Sequence, residues 1–223
     1  LPLRCDVFPI HGDGKMKRSE KFWDKRSNEY DRNEDKYEQS YNKTVENTRK
    51  YLSPSDTVLD YACGTGIITN ELAENVKEIH AIDISSKMID VAKRKAGERE
   101  IDNVHHAKAT LFDERYERES FDVILAFNIL HLLDDAHGVM QRIYELLKPG
   151  GLFISATPCL GEGRTFFSIF LFLLSKIGLV PYLNMLTISE LEDLVVNGNF
   201  QIVETEDLDQ TPPNYFIVAR KIT

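Results

Sequence analysis

The 223-residue chain predicts an α/β fold: an open sheet of about seven strands, mostly parallel with an antiparallel last strand, and helices on both faces. Three observations carry that reading. Short apolar runs such as "TVLDYAC", "FDVILAFNIL" and "LFISAT" have the length and continuity of strands buried on both sides. Stretches with apolar residues three and four apart stand between them, as in "KMIDVAKRKAGERE". Turn chemistry separates the two textures, in "SPSD", "CGTG" and "KPGG".

Taken in order, residues 19–52 are polar, with aromatic points such as Phe22, Trp23, Tyr30 and Tyr41 at helical spacings. They predict one or two amphipathic helices lying on the body. After the turn at 53–56 the pattern is strand (57–63), glycine turn, helix (66–74) and second strand (78–85). Ser85 or Ser86 caps the next helix. A weaker third strand covers 103–110 and a strongly apolar fourth covers 121–130. Asp134 or Asp135 opens the helix "AHGVMQRIYELL", which "KPGG" stops, and 152–157 is the fifth strand. Beyond an apolar insertion, "TISELEDLVVNGNF" is a helix capped by Thr187 or Ser189 and closed by Gly198, and "QIVETEDL" and "NYFIVARKI" are the final strands. The alternation gives a Rossmann-like layout in two parts. Residues 1–52 form an N-terminal extension and helical lid, and 53–223 form the core, with an apolar cap at about 163–183.

Composition narrows the function. A formal net charge of −9 argues against a nucleic-acid binder, which needs a basic stripe for phosphates. Cys5, Cys63 and Cys159 are too scattered for a disulfide framework or a zinc site, so a reducing cytoplasm is the expected location and no metal is expected. The opening "LPLRCDVFPIHGDGK" lacks the layout of a secretory signal, and Met16 stands as an alternative start. The apolar run at 165–180 is broken by Lys176 and Gly178 and falls short of the roughly 18–20 residues of a spanning helix.

The chemistry sits in "VLDYACGTGIIT". In an open parallel sheet, ligands bind beyond the carboxyl ends of the strands where strand order reverses, so the loop after the first strand is the expected floor. Gly64 and Gly66 let the backbone turn and let a ligand approach without an intervening Cβ. The loop lacks the Lys-Ser/Thr of a phosphate-gripping loop and the third glycine of a dinucleotide fingerprint, which disfavours ATP and a nicotinamide-dependent oxidoreductase. A nucleoside without a pyrophosphate fits better. Asp83 lies 17 positions beyond Gly66 at the end of the second strand, where a carboxylate accepts both hydroxyls of a ribose; its structural alternative is an acid at a helix N-terminus.

"VLDYACGTG", "AIDIS", "SFDVILAFNILHLL" and "LLKPGGLFIS", in this order and spacing, resemble the class I S-adenosylmethionine-dependent methyltransferases, and within them the small-molecule group that includes the quinone-biosynthesis enzymes. The opening "FWDKRSNEYD" is similar to that group's N-terminal segment. The resemblance implies S-adenosylmethionine as cofactor and methyl transfer to a small acceptor, which the apolar cap, read as a lid, would make hydrophobic or aromatic. It implies that Asp60, Ala62, Gly64 and Gly66 line the methionine end, that Asp83 takes the ribose and that Ile84 lies against adenine. It also places Ala109 and Thr110 at the adenine edge, Asn128 below the sulfonium and Tyr30 over the methionine moiety. Two positions depart from the pattern: the first glycine of the loop is Ala62, and Lys108 replaces the acid often found before the adenine loop.

His131 follows the fourth strand near the expected methyl donor and is the candidate general base, with a hydrogen-bonded structural histidine as the alternative. Cys63 reads as a packing residue, and His105 and His106 lack a metal-ligand pattern. The apolar cap reads either as a helix buried against the N-terminal segment or in a homodimer interface, or as a lid over a hydrophobic acceptor with transient membrane contact as a variant. A non-catalytic sensor that retains the cofactor pocket is the rival function.

Overall fold

The computed structural model describes residues 13–163, 172–175, 182–210 and 212–222. Seven strands form one sheet: β1 (Thr57–Tyr61), β2 (Glu78–Asp83), β3 (Val104–Lys108), β4 (Phe121–Phe127), β5 (Leu147–Pro158), β6 (Phe200–Gln210) and β7 (Pro213–Lys221), in the order β3-β2-β1-β4-β5-β7-β6. The first five run parallel, and β7 is antiparallel to both β5 and β6. The order reverses between β1 and β4, so a crevice opens beyond their carboxyl ends.

The longer α-helices among the described residues are α1 (Asp13–Arg26), α2 (Glu34–Arg49), α3 (Ile67–Leu72), α4 (Ser86–Glu98), α5 (Ala136–Leu146) and α6 (Ile188–Asn197). Alternate residues of the strands feed two cores. On one face Leu59, Ile124, Phe153 and Ile217 pack with Met140 and Ile143 of α5 and Leu191 and Val195 of α6. On the other, Val58, Leu125, Ile154 and Phe216 pack with Val45 of α2 and Ile68 and Leu72 of α3. Local chemistry fixes the helix starts. The Ser85 hydroxyl accepts from Met88 N, the Asp135 carboxylate accepts from Gly138 N, and Thr187 and Glu190 form a reciprocal capping box.

The elements differ from expectation chiefly at their ends. The expected turn "KPGG" is instead the bulged start of β5: Leu147 pairs with Phe121, the register then shifts, and Leu152 pairs with Val123. Gly150, at φ 74, supplies the left-handed residue this bulge needs. The expected helix 66–74 is α3 followed by a tighter 3-10 turn, Ala73–Asn75. Most of the apolar cap expected at 163–183 lies outside the described residues. Within it, 172–175 form a helical turn with Leu173 57% exposed, and Leu183 is buried. Among the described residues no helix is long and apolar enough to cross a membrane.

The N-terminal segment is held by polar contacts. The Asp24 carboxylate of α1 accepts from the Ser85 hydroxyl at 2.6 Å and from Lys87 N at 3.3 Å, at the start of α4. Asp31, in the 3-10 turn Tyr30–Asn33, accepts from the Thr65 hydroxyl at 2.6 Å and pairs with Lys95 at 2.7 Å. α2 is fixed to β6 by Asn47 on Glu206 at 2.6 Å and by the Tyr51 hydroxyl on Glu204.

Candidate active site

The crevice at the ends of β1 and β4 is a cleft whose lining includes Tyr30, Tyr41, Asp60, Ala62, Gly64, Thr65, Phe127 and Asn128. Its floor is the loop after β1, where Ala62, Gly64 and Gly66 have φ of 63°, 56° and 76°. Alternate left-handed residues coil the chain tightly and turn its amides inward: Cys63 N donates to Ile82 O, Gly64 N to the Asp83 carboxylate and Gly66 N to Cys63 O. These amides are engaged within the protein, so the loop is a wall and not a phosphate cradle. A Cβ built on Gly64 meets nothing within 4 Å. The opposite wall ends in Asn128, at φ 56, whose amide donates to Ala156 O at 2.8 Å.

The cleft is electronegative. Asp60 is 2% exposed and accepts from the Thr69 hydroxyl. Burial pushes its carboxyl up to about 6 against the lowering effect of that bond, with the nearby Asp83 carboxylate adding to the rise. Asp83 is raised by burial too, although Ser85 N at 2.8 Å and Gly64 N at 3.1 Å donate to it. Burial and hydrogen bonding to Tyr41 push the Tyr30 phenol up, so it stays protonated over the cleft. Two desolvated carboxylates beside a cradle of glycines suit a ligand with a cationic end and neutral hydroxyls.

A family model described as "Methyltransferase domain" matches residues 52–179, more than half of the chain. The chain belongs to the class I S-adenosylmethionine-dependent methyltransferases. Among the relatives of this methyltransferase is the ubiquinone biosynthesis O-methyltransferase of Coxiella burnetii, 24% identical over 171 residues, or 74% of this chain and 73% of the relative. Among solved structures, a chain of the Haloferax volcanii complex between the Trm112 methyltransferase activator and a methyltransferase superposes with a TM-score of 0.75 at 15% identity, covering 90% of this chain and 98% of that one. Geranyl diphosphate C-methyltransferase from Streptomyces coelicolor, in complex with S-adenosylhomocysteine, reaches 0.65 at 16% identity over 77% and 74% of the two chains. The likeness to these two structures is one of fold. S-adenosylmethionine is the cofactor of the methyltransferase, and a cleft with the buried Asp60 carboxyl and open space at Gly64 fits a ligand with a cationic end.

Of the residues singled out in the sequence, the methyltransferase brings Tyr30, Asp60, Ala62, Gly64 and Asn128 together in the cleft. Asp83 adjoins them through its bond to Gly64 N. Ile84 is half-buried, and Ala109 N donates to Asp83 O at 3.1 Å, so Ala109 and Thr110 stand at the neighbouring β2–β3 edge. Gly66 is turned away: a Cβ there would meet the Cβ of Ala92 in α4 at 3.1 Å, so its glycine serves helix packing and its left-handed φ. His131 lies in the 3-10 turn Leu130–Leu132 and is not among the cleft's lining residues. Its Nδ1 is buried without a hydrogen-bond partner, and burial pushes its pKa down to about 4. Tyr41 escaped sequence reading as a site residue, because an aromatic on an amphipathic helix is ordinarily a packing residue. Thr65 and Phe127 escaped it as well, their signal being only their position beside Gly64 and Asn128. Cys63 lines the cleft as a packing group, its thiol held well above the usual range by burial and by Asp60 and Asp83.

Proposed function

We propose that this methyltransferase acts on a small acceptor with an apolar or aromatic body, and that the residues above hold the cofactor as follows. Asp60 faces the cationic ammonium of the methionine end, Ala62 and Gly64 give it room, and the Asn128 carbonyl lies near it. Tyr30 closes over it from the N-terminal segment, which acts as a lid. Asp83 accepts the ribose hydroxyls, Ile84 lies against the adenine face, and Ala109 and Thr110 lie at its edge. The observation that carries the acceptor reading is the aromatic share of the cleft's lining, Tyr30, Tyr41 and Phe127. The relative named for ubiquinone biosynthesis supports this acceptor class.

The cofactor supplies a methyl group activated by its positive sulfur. The chain's own task is to align an acceptor nucleophile in line with that carbon and to keep water out. Tyr30 and Tyr41 roof the cleft, and Asp31 pins Tyr30 through Thr65 and Lys95. His131, outside the cleft's lining and with its pKa pushed down to about 4 by burial, is poorly placed and too weakly basic to take a proton from the acceptor.

The test is a product screen. Small-molecule extract is separated by polarity, incubated with protein and S-adenosylmethionine, and followed by mass spectrometry for the gain of one methylene unit. The gain is expected in the apolar fractions; a gain confined to polar metabolites refutes the acceptor class. With the acceptor in hand, His131→Phe should keep cofactor affinity and leave kcat within a few-fold. A loss of about 100-fold would return His131 to the chemistry.

A further inference from the structure

Lys108 is the last residue of β3 and stands in register with Asp83, the last residue of β2. Its ammonium holds the carboxylate of Glu20, which arrives from α1 on the N-terminal segment. α1 is fixed in that crossing one turn later, where Asp24 grips Ser85 and Lys87 N at the start of α4. Meanwhile the loop beyond Lys108 uses many of its own polar groups to hold its shape. Ala109 N donates to Asp83 O at 3.1 Å, Asp113 N to Thr110 O at 3.2 Å and Phe112 N to the Thr110 hydroxyl at 3.3 Å. Arg142 donates to Leu111 O at 3.0 Å. The Glu20–Lys108 pair is partly exposed, its side chains 27% and 50% accessible, so as an ion pair it adds little to stability.

We propose that Glu20 and Lys108 together read the adenine edge of the cofactor, an assignment that rests on the methyltransferase reading above. The edge of adenine donates through its exocyclic amine and accepts through the adjacent ring nitrogens. A carboxylate that only accepts and an ammonium that only donates, held side by side, match that pattern. Because Glu20 belongs to the N-terminal segment and Lys108 to the sheet, the base is read only when the two are together. Nucleobase recognition and closure of the segment are therefore one event.

Isothermal titration of the full chain with S-adenosylhomocysteine and S-inosylhomocysteine tests this. The second ligand replaces the exocyclic amine by a carbonyl and puts a proton on the neighbouring nitrogen, reversing the pattern. Wild type should favour the adenine ligand by roughly 10–100-fold, and Glu20→Ala and Lys108→Ala should each shrink that ratio to below about 3. Asp83→Ala should weaken both ligands and leave the ratio intact. If either alanine variant folds poorly by circular dichroism, Glu20→Gln and Lys108→Met give the same reading. An unchanged ratio in the Glu20 and Lys108 variants overturns the proposal. A folded wild type that binds neither ligand overturns the cofactor assignment beneath it.

Discussion

Replacing Asp60 by asparagine should make the ligand-free protein more stable and its cofactor weaker. Burial raises the Asp60 carboxyl from 3.8 to about 6, and at neutral pH the group is nonetheless charged. That gap of about two units corresponds to about 3 kcal/mol of destabilisation at 1.36 kcal/mol per unit. The amide removes the charge but brings N–H donors that need partners, a loss of about 1 kcal/mol, so a net gain of about 2 kcal/mol is expected. The sign with pH follows from the raised pKa. The penalty is absent below the unfolded value near 4 and fully present above the folded value near 6, so the wild type loses stability as pH rises through that window. The Asp60→Asn variant lacks this contribution. Urea unfolding at pH 7.5 should therefore show the variant more stable, and towards pH 4 that advantage should vanish and leave it up to about 1 kcal/mol less stable than wild type. Calorimetry should show S-adenosylmethionine binding about 10–100-fold more weakly to the variant, the loss of one charged hydrogen bond. A variant less stable at pH 7.5, or one whose advantage persists at pH 4, would show that desolvation does not govern this residue.

Three further substitutions address the same crevice. Asp83→Ala should weaken the cofactor by about 10–100-fold in titration calorimetry; unchanged affinity would reduce Asp83 to an acceptor for Gly64 N and Ser85 N. Ala62→Gly relieves a left-handed alanine at φ 63 and should stabilise the ligand-free chain by about 0.5–1 kcal/mol in urea; a loss would mean the Ala62 methyl packs usefully. Gly66→Ala should do the opposite, costing about 1–3 kcal/mol at φ 76 with its Cβ against Ala92, and thermal melts would read an unshifted midpoint as evidence that α3 and α4 separate easily.

The central parallel strands β1, β4 and β5 were legible because they are buried on both faces, so their sequences are rich in consecutive apolar residues; β3, half-exposed, gave a weaker signal. Strand ends were less legible. "KPGG" carries the same residues whether it ends a helix in open turn or bulges into β5, and only the pairing of Leu147 with Phe121 distinguishes the two. In the cleft, Gly64 was singled out by its place after the first strand, whereas Asp60 and Asn128 came only from the resemblance to the methyltransferases. Tyr41 was legible by neither route, since its place depends on how α2 crosses the sheet, which Asn47 and Tyr51 settle through contacts to Glu206 and Glu204 more than 150 residues away. Gly66 shows the reverse case. Its glycine was legible, but the reason for it was Ala92, a residue on the following helix.

The place of β7 bears on how the molecule assembles. β6 precedes β7 in the chain but lies outside it in the sheet, and it touches β5 only through that later strand. During synthesis, β1 to β5 emerge with one side of β5 unpaired, and β6 emerges before the strand that will carry it. β6 and β7 must therefore join as an antiparallel pair, in register from Phe200 against Lys221 to Gln210 against Pro213, and dock together. Until they do, Ile154 and Ala156 lack Phe216 and Val218, which complete their core. A chain stalled before residue 213 exposes a bare apolar edge, the natural target of chaperones and a seed for aggregation.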